Sequence, residues 1–404
     1  MVNKLQNNIE CIIAFIILVI NFDNAIYSME EYPVNIVFYL AQFFALVLLL
    51  SSKTCVIIRP KGFKVLFSAI FIVALIHGFN SMTYYYKLFL FLLLYQVIRK
   101  TNFYLLQQRI YTIMFFLASI SILCYFLLNI VGLDLTFMQF SNEGEELYST
   151  NFLYSYIAYW PSRNCSIYRE PGIFQIYLNF ALLCYYNVNK NVIFDKYIAV
   201  FIIALITTLS PAGILLGGAI VMLQVMSSKN ISFFQYFMFA GLLIGAFIFI
   251  NSMADTIFTK ITSGPSENAS AAARLYSLIV PLKICSEYPL FGVGALEFNT
   301  IIENYSLSTG HSMSTGSISN TLTTNFATSG LFVGLLYVVF FWKGVTKIIC
   351  NVKRKLPYIL ITFALLFCEN ITYSLLFNLC LVIGTIEIKK KKIDYEICNT
   401  SNLS

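Results

Sequence analysis

Charge is what this chain has least of. Only 11% of its 404 residues are Asp, Glu, Lys or Arg, while 59% are hydrophobic. Soluble domains carry roughly a quarter charged residues, so a soluble fold is excluded. Histidine is nearly absent, with only His77 and His311. No Cys-x-x-Cys occurs, and no Cys/His set has metal-ligand spacing. Asp255 and Glu267 stand too far from other acids to form a carboxylate pair. No metal and no cofactor is expected. The Gly292-Val-Gly294 run follows no strand and lacks the third glycine of a dinucleotide fingerprint. Gly-Lys-Ser/Thr is missing too, which removes a nucleotide site. The alternating ten-residue segments of a β-barrel do not occur. Nor is there an internal repeat, which weighs against a transporter built from repeated halves.

What is present is apolar sequence of membrane-spanning length, from end to end. Apolar segments fall at 10–26, 33–51, 65–80, 83–98, 111–132, 171–188, 197–210, 211–227, 231–251, 324–343, 357–368 and 371–387. The expected fold is an all-α polytopic membrane protein with about twelve transmembrane helices, ten to twelve allowing for short segments. Pro211 either breaks the pair around it into two helices or kinks one. Cys11, Cys124, Cys184, Cys350, Cys368 and Cys380 lie in or beside these segments and act as small hydrophobes. Lys4 alone precedes the first segment, and no small-x-small site follows, so no cleavable signal peptide is expected.

The basic residues orient the chain. With the N-terminus inside, 20 of 26 Lys and Arg fall on the cytoplasmic side, including Lys53, Arg99, Arg109, Lys196, Lys347 and the 389–392 run. Five fall outside: Arg163, Arg169, Lys260, Arg274 and Lys283. Lys87 lies within a segment. This is the positive-inside pattern, and it accounts for the net charge of +7 without a nucleic-acid partner. The lysine run suits contact with anionic lipid. Residues 1–404 read as a single transmembrane domain with two long outer loops, 133–170 and 252–323, and a cytoplasmic tail at 388–404. Cys165 and Cys285 fall one in each loop, which leaves a disulfide between them open.

The chemistry concentrates where the first loop re-enters a segment: Arg163-Asn-Cys-Ser-Ile-Tyr-Arg-Glu-Pro-Gly-Ile-Phe-Gln175. Charge at a membrane boundary is costly. Arginine offers a planar fork that fits phosphate in bidentate fashion, so Arg163, Arg169 and Arg274 read as diphosphate ligands or as snorkelling, salt-bridged loop residues. Pro171 suits a helix start. Glu170 beside it complements the helix dipole or takes a proton from a hydroxyl acceptor. Gln175 and Asn179 add polar groups at i, i+4. The loop aromatics Tyr148, Tyr154, Tyr156, Tyr159, Trp160 and Tyr168 form an interfacial belt or stack on sugar rings. In the second loop a helical stretch from Ala271 through Arg274 to about Glu287 precedes a turn at Tyr288-Pro289-Leu-Phe-Gly292-Val-Gly294. A polar run from Ser306 to Asn325 contains His311, a proton acceptor or a plain loop residue.

Arg163-Asn164 with Glu170-Pro171-Gly172-Ile-Phe174-Gln175 resembles the first periplasmic-loop motif of the O-antigen and capsule polymerases, the Wzy type. Arg274 with Pro289, Leu290, Gly292 and Gly294 resembles the signature shared by these polymerases and the O-antigen ligases. Leu209-Ser210-Pro-Ala-Gly213 resembles the family's mid-chain hairpin, and Asn320–Gly330 resembles its Asn-containing start of the next helix. The likeness covers roughly 160–345. Two departures stand out. Arg169 occupies a position where relatives often carry an apolar or aromatic residue. Asn320 is flanked by Ser319 and Thr321 where the ligase branch shows a histidine, which favours polymerase.

The resemblance implies a glycosyltransferase of the bacterial inner membrane that uses a polyprenyl-diphosphate donor and no nucleotide sugar. It would join undecaprenyl-diphosphate-linked oligosaccharide units at the periplasmic face, with both termini cytoplasmic and a chain-length regulator as possible partner. Arg274 and Arg163 would hold the diphosphate, with Arg169 third. Gln175, Asn320 and Tyr168 would line the substrate, and Glu170 or His311 would take the acceptor proton. Pro171, Gly172, Pro289, Gly292 and Gly294 would shape the motifs. The rivals are an O-antigen ligase, a flippase for the lipid-linked unit using Lys87, Asp23 and Glu369, and a non-catalytic scaffold that leaves the outer arginines unexplained.

Overall fold

The computed structural model describes residues 2–29, 34–52, 58–141, 147–158, 160–227, 269–309, 318–352 and 354–388. It is mostly helical. The helices are α1 (Val2–Leu18), α2 (Val34–Ser51), α3 (Lys61–Ile76), α4 (Met82–Lys100), α5 (Phe103–Phe126, continued by a π turn to Val131), α6 (Pro171–Val188), α7 (Lys196–Thr207), α8 (Pro211–Ser227), α9 (Ala269–Glu287), α10 (Gly294–Thr309), α11 (Thr321–Ile348), α12 (Lys355–Leu366) and α13 (Leu375–Thr385). Eleven of the expected segments coincide with a helix, and 231–251 lies outside the described residues. Val34–Ser51, Phe103–Val131 and Thr321–Ile348 are long and apolar enough to cross a membrane. Several further apolar helices are shorter.

Side-chain caps set the helix starts. Asn102 accepts from Tyr104 and Leu105 N–H at α5, Asp195 from Tyr197 and Ile198 at α7, and Ser374 from Leu376 at α13. The Pro211 alternative resolves as two helices. Leu209 turns left-handed at φ 50° between α7 and α8, and Pro211 opens α8. The 133–170 loop departs from an all-α reading. It folds as an antiparallel sheet of β2 (Met138–Ser141), β3 (Leu147–Thr150) and β4 (Ser155–Ile157). Its inner face packs Phe140, Tyr148 and Ile157 onto Ala25, Ile26 and Met29. No disulfide joins Cys165 to Cys285.

Two glycines bring α11 and α13 into backbone contact. A Cβ at Gly344 would lie 1.8 Å from Cys380 O, and one at Gly384 1.8 Å from Phe340 O. Small residues permit this approach where lipid supplies no hydrophobic drive. Lys347 then donates to the carbonyls of Ile383 and Gly384 at 2.9 and 3.2 Å and to Ile386 O.

The connections segregate to opposite ends. At one end, β1 (Ile58–Arg59) pairs with β5 (Glu387–Ile388), Lys100 bonds Ser52 O, and Asn187 joins Gln107 to Asn351. At the other end, Ala25 N–H bonds Ile167 O, Arg169 bonds Asn370 O, and Thr321 bonds Glu369 O. The basic connections gather at the first end and the 160–170 segment at the second.

Candidate functional site

The 163–175 segment is held by its small polar residues. Asn164 is buried, and its amide donates to Thr207 Oγ1 at 2.9 Å and Ser121 Oγ at 3.2 Å. Its Oδ1 accepts from Ser166 N–H, and Ser166 turns left-handed at φ 53°. These bonds seat Arg163 beside the α7–α8 turn. Arg163 Nε donates to Thr208 O at 3.3 Å, and the guanidinium lies 6.0 Å from the exposed Trp160 ring. Among the described residues, its terminal nitrogens have no protein acceptor. The fork therefore stays open for a ligand oxygen pair.

Arg169 is placed differently. Its Nη2 donates to Asn370 O at 3.1 Å, its backbone N–H to Asp23 O at 3.0 Å, and its guanidinium lies 5.4 Å from the Phe22 ring. Burial works against its charge, but Glu170, Asp23 and Glu369 outweigh burial and raise its pKa above the ordinary value. Asp23 Oδ2 accepts from Tyr177 at 2.7 Å, and that hydroxyl also meets Ser374 Oγ at 3.0 Å. Arg169 is thus the cation of a carboxylate cluster, joining the end of α1, the start of α6 and the α12–α13 loop.

Glu170 stands at the N-cap of α6 with no side-chain cap bond. The carboxylate against the first turn of α6 belongs to Glu369. A Cβ at Gly172 would lie 1.9 Å from Glu369 Oε1. Glycine is needed at 172 so that this carboxylate can reach the positive end of the helix. Nothing in the sequence signals a partner nearly two hundred positions away.

Other expected site residues serve packing. Tyr168 is fully buried, stacks on Tyr177 at 4.4 Å and bonds Leu18 O at 3.1 Å. Tyr148, Tyr154 and Tyr156 are buried too, while Trp160 is exposed and Tyr159 lies outside the described residues. Gln175 is buried with Oε1 accepting from Asn179 at 3.1 Å, and both pack on Gly213 and Gly217 of α8. Asn320 caps α11 through Leu322 and Thr323 N–H.

The Pro289–Gly294 turn is a latch. Gly292 and Gly294 take φ of 67° and 79°. Val293 N–H bonds Ala327 O at 3.0 Å, and Leu331 N–H bonds Pro289 O at 2.7 Å. These bonds clasp the break in α11 at Gly330, itself at φ 80°. The turn also meets α3 and α4, where His77 Nε2 lies 3.2 Å from Phe291 O and Ala295 N–H bonds Tyr84. Arg274 lies on α9, one turn before Ser277, whose backbone O accepts from Thr323 Oγ1 at 3.1 Å. His311 lies outside the described residues.

Lys87, singled out in the sequence as a charge inside a segment, is buried in α4 and donates to Asn325 Oδ1 at 3.0 Å. Asn325 donates to Thr372 Oγ1, Thr372 to Asn370 Oδ1, and Asn370 O accepts from Arg169. One hydrogen-bonded chain therefore runs from Lys87 to the carboxylate cluster. Comparison with protein-family models, with characterised proteins and with solved structures yields no match.

Proposed function

We propose that this chain is a polysaccharide polymerase of the bacterial inner membrane, a glycosyltransferase with a polyprenyl-diphosphate-linked donor. The observation that carries the reading is Arg163. Among the described residues its terminal guanidinium nitrogens have no protein acceptor, and it lies at the end of the molecule opposite the basic connections, beside an exposed tryptophan. In this reading the chain crosses the membrane about twelve times, both termini are cytoplasmic, and the Arg163 end is periplasmic. The acceptor hydroxyl oxygen of a new repeat unit attacks the anomeric carbon of the growing chain. The bond from that carbon to the diphosphate oxygen breaks, and the electron pair leaves with undecaprenyl diphosphate. Arg163, with Arg274 of α9, stabilises that charge. Glu170 takes the acceptor proton and passes it to water. Arg169, which bonds Asn370 O and lies in the field of Glu170, Asp23 and Glu369, has a structural role more than a substrate-binding one. No metal enters the reading.

A gel of surface polysaccharide from a deletion strain, with and without the gene restored, tests it. A single repeat on the lipid core, with the ladder returning on complementation, is the expected outcome. Bare core with long polymer still on the lipid carrier would replace the polymerase by a ligase. One observation favours a second reading, lipid-linked-unit transport. The charges Lys87, Asp23 and Glu369 join one polar network between helices. Single units trapped on the cytoplasmic face would establish it.

A further inference from the structure

A groove of about 560 Å³ runs between α3 and α11. Lys64, Ser68 and Ile72 of α3 form one wall and Val333 of α11 belongs to the other. Leu290 and Phe291 of the latch close its far end, and both are exposed. Apart from Lys64 and Ser68 the lining is hydrocarbon. From Lys64 to Val73, α3 rises about 14 Å, close to half of the roughly 30 Å hydrocarbon core of a bilayer. That length suits one chain of a lipid seated in a single leaflet.

The near end of the groove is basic. Lys61 stands one turn before Lys64 on the same face of α3, and both are exposed. Gly62 brings this turn against α11, where a Cβ would lie 3.1 Å from Phe340 Cε1. Lys343 is exposed, and its Nζ lies 5.7 Å from the centre of that same ring. Two helices thus deliver three lysines to one mouth. Among the described residues none of the three ammonium groups has a hydrogen-bonded or ion-paired partner. Lys347, one turn on, is engaged by the carbonyls of Ile383 and Gly384. Glu387, the acid of the adjoining ribbon, stands opposite Arg59. Like charges gathered at one mouth repel, and an anionic group there relieves the repulsion.

We propose that this groove is a site for an anionic glycerophospholipid. One acyl chain lies between α3 and α11 with its end against Leu290 and Phe291, and the head-group phosphate meets Lys61, Lys64 and Lys343. Two observations select this occupant. The lining is apolar up to the mouth and basic at it, which matches a lipid chain and its charged head group. The rims carry exposed apolar side chains, among them Ile72 and Phe332, so lipid enters sideways from the bilayer. The bound chain covers the tip of the latch and braces it against α3. The site is separate from Arg163 and stands independently of the reaction proposed above.

In the test, the full chain in detergent is titrated with phosphatidylglycerol or phosphatidylcholine, and retained lipid is counted by native mass spectrometry. Wild type should hold one phosphatidylglycerol at about 100-fold lower concentration than phosphatidylcholine, about fivefold for each lysine. Lys61→Ala, Lys64→Ala and Lys343→Ala together should erase that preference. Melting of this triple variant without lipid should stay near wild type, because all three side chains are exposed. Ser68→Phe fills the groove from an exposed position and should weaken phosphatidylglycerol binding about tenfold. Added phosphatidylglycerol should raise the melting temperature of wild type and of neither variant. Equal retention of the two lipids by wild type would overturn the proposal. So would wild-type affinity for phosphatidylglycerol in the triple variant, since the groove would then hold any lipid by its chain. Wild-type affinity in Ser68→Phe would overturn the placement of the chain and leave a surface contact of the head group. None of these outcomes bears on the polymerase reading.

Discussion

Arg163 and Arg169 are six positions apart on one segment and do opposite work. Among the described residues the terminal nitrogens of Arg163 have no protein acceptor, while Arg169 bonds Asn370 O in the field of Glu170, Asp23 and Glu369. Arg163→Ala should therefore lower polymer yield by about 100-fold or more while the protein still reaches the membrane, read from the polysaccharide ladder. Arg163→Lys should restore little, since lysine cannot present a fork. Arg169→Ala should instead lower the amount of folded protein, read by detergent melting. Gly172→Ala places a methyl 1.9 Å from Glu369 Oε1 and should cost about 1–3 kcal/mol. Adding Glu369→Ala should recover part of that loss, because the two effects share one contact. Residue by residue, the sequence showed which groups were costly but not their partners. Lys87 stood out as a charge in an apolar run, yet Asn325 is 238 positions away. Tyr168 read as a belt residue or a sugar platform, whereas tertiary packing against Tyr177 buries it.

At the scale of elements, apolar run length found eleven of the described helices, α9 read as a helical stretch within a loop, and α10 at Gly294–Thr309 went unread because its sequence is polar and mixed. The Pro289–Gly294 turn was legible from its glycines. Its partner, the Gly330 break in α11, was not, because a glycine inside an apolar run carries no sign of φ. The two sites interlock, with a Cβ at Gly330 lying 2.3 Å from Leu290 O. Gly330→Ala should thus cost about 1–3 kcal/mol in backbone strain and release the latch. The check is faster thiol labelling of a cysteine placed at Ser286, on the exposed last turn of α9. Unchanged labelling would mean that the latch does not hold α9 against α11. The β2–β4 sheet went unseen because its strands are short and sit in a loop rich in tyrosine and serine, where alternation over three or four residues is too brief to register.

For the whole molecule, connections that carry basic residues meet through bonds such as the pairing of β1 with β5. In a background stripped of its ten cysteines, a cysteine at Ser162 should label from outside intact cells. One at Arg354 should label only after permeabilisation. The opposite pattern would invert the orientation. The α11–α13 contact also bears on how the chain is made. At 11 residues, α13 is about 16 Å long, roughly half a bilayer core. Alone, it is poorly suited to leave the translocon and stay in lipid. It leaves the ribosome after α11, whose Gly344 and Lys347 are already placed to receive its backbone and its last carbonyls. Insertion of this helix should therefore depend on α11 as well as on its own hydrophobicity, and a bulky residue at position 344 should act during synthesis, exposing α13 to membrane proteolysis before any finished protein exists to be destabilised.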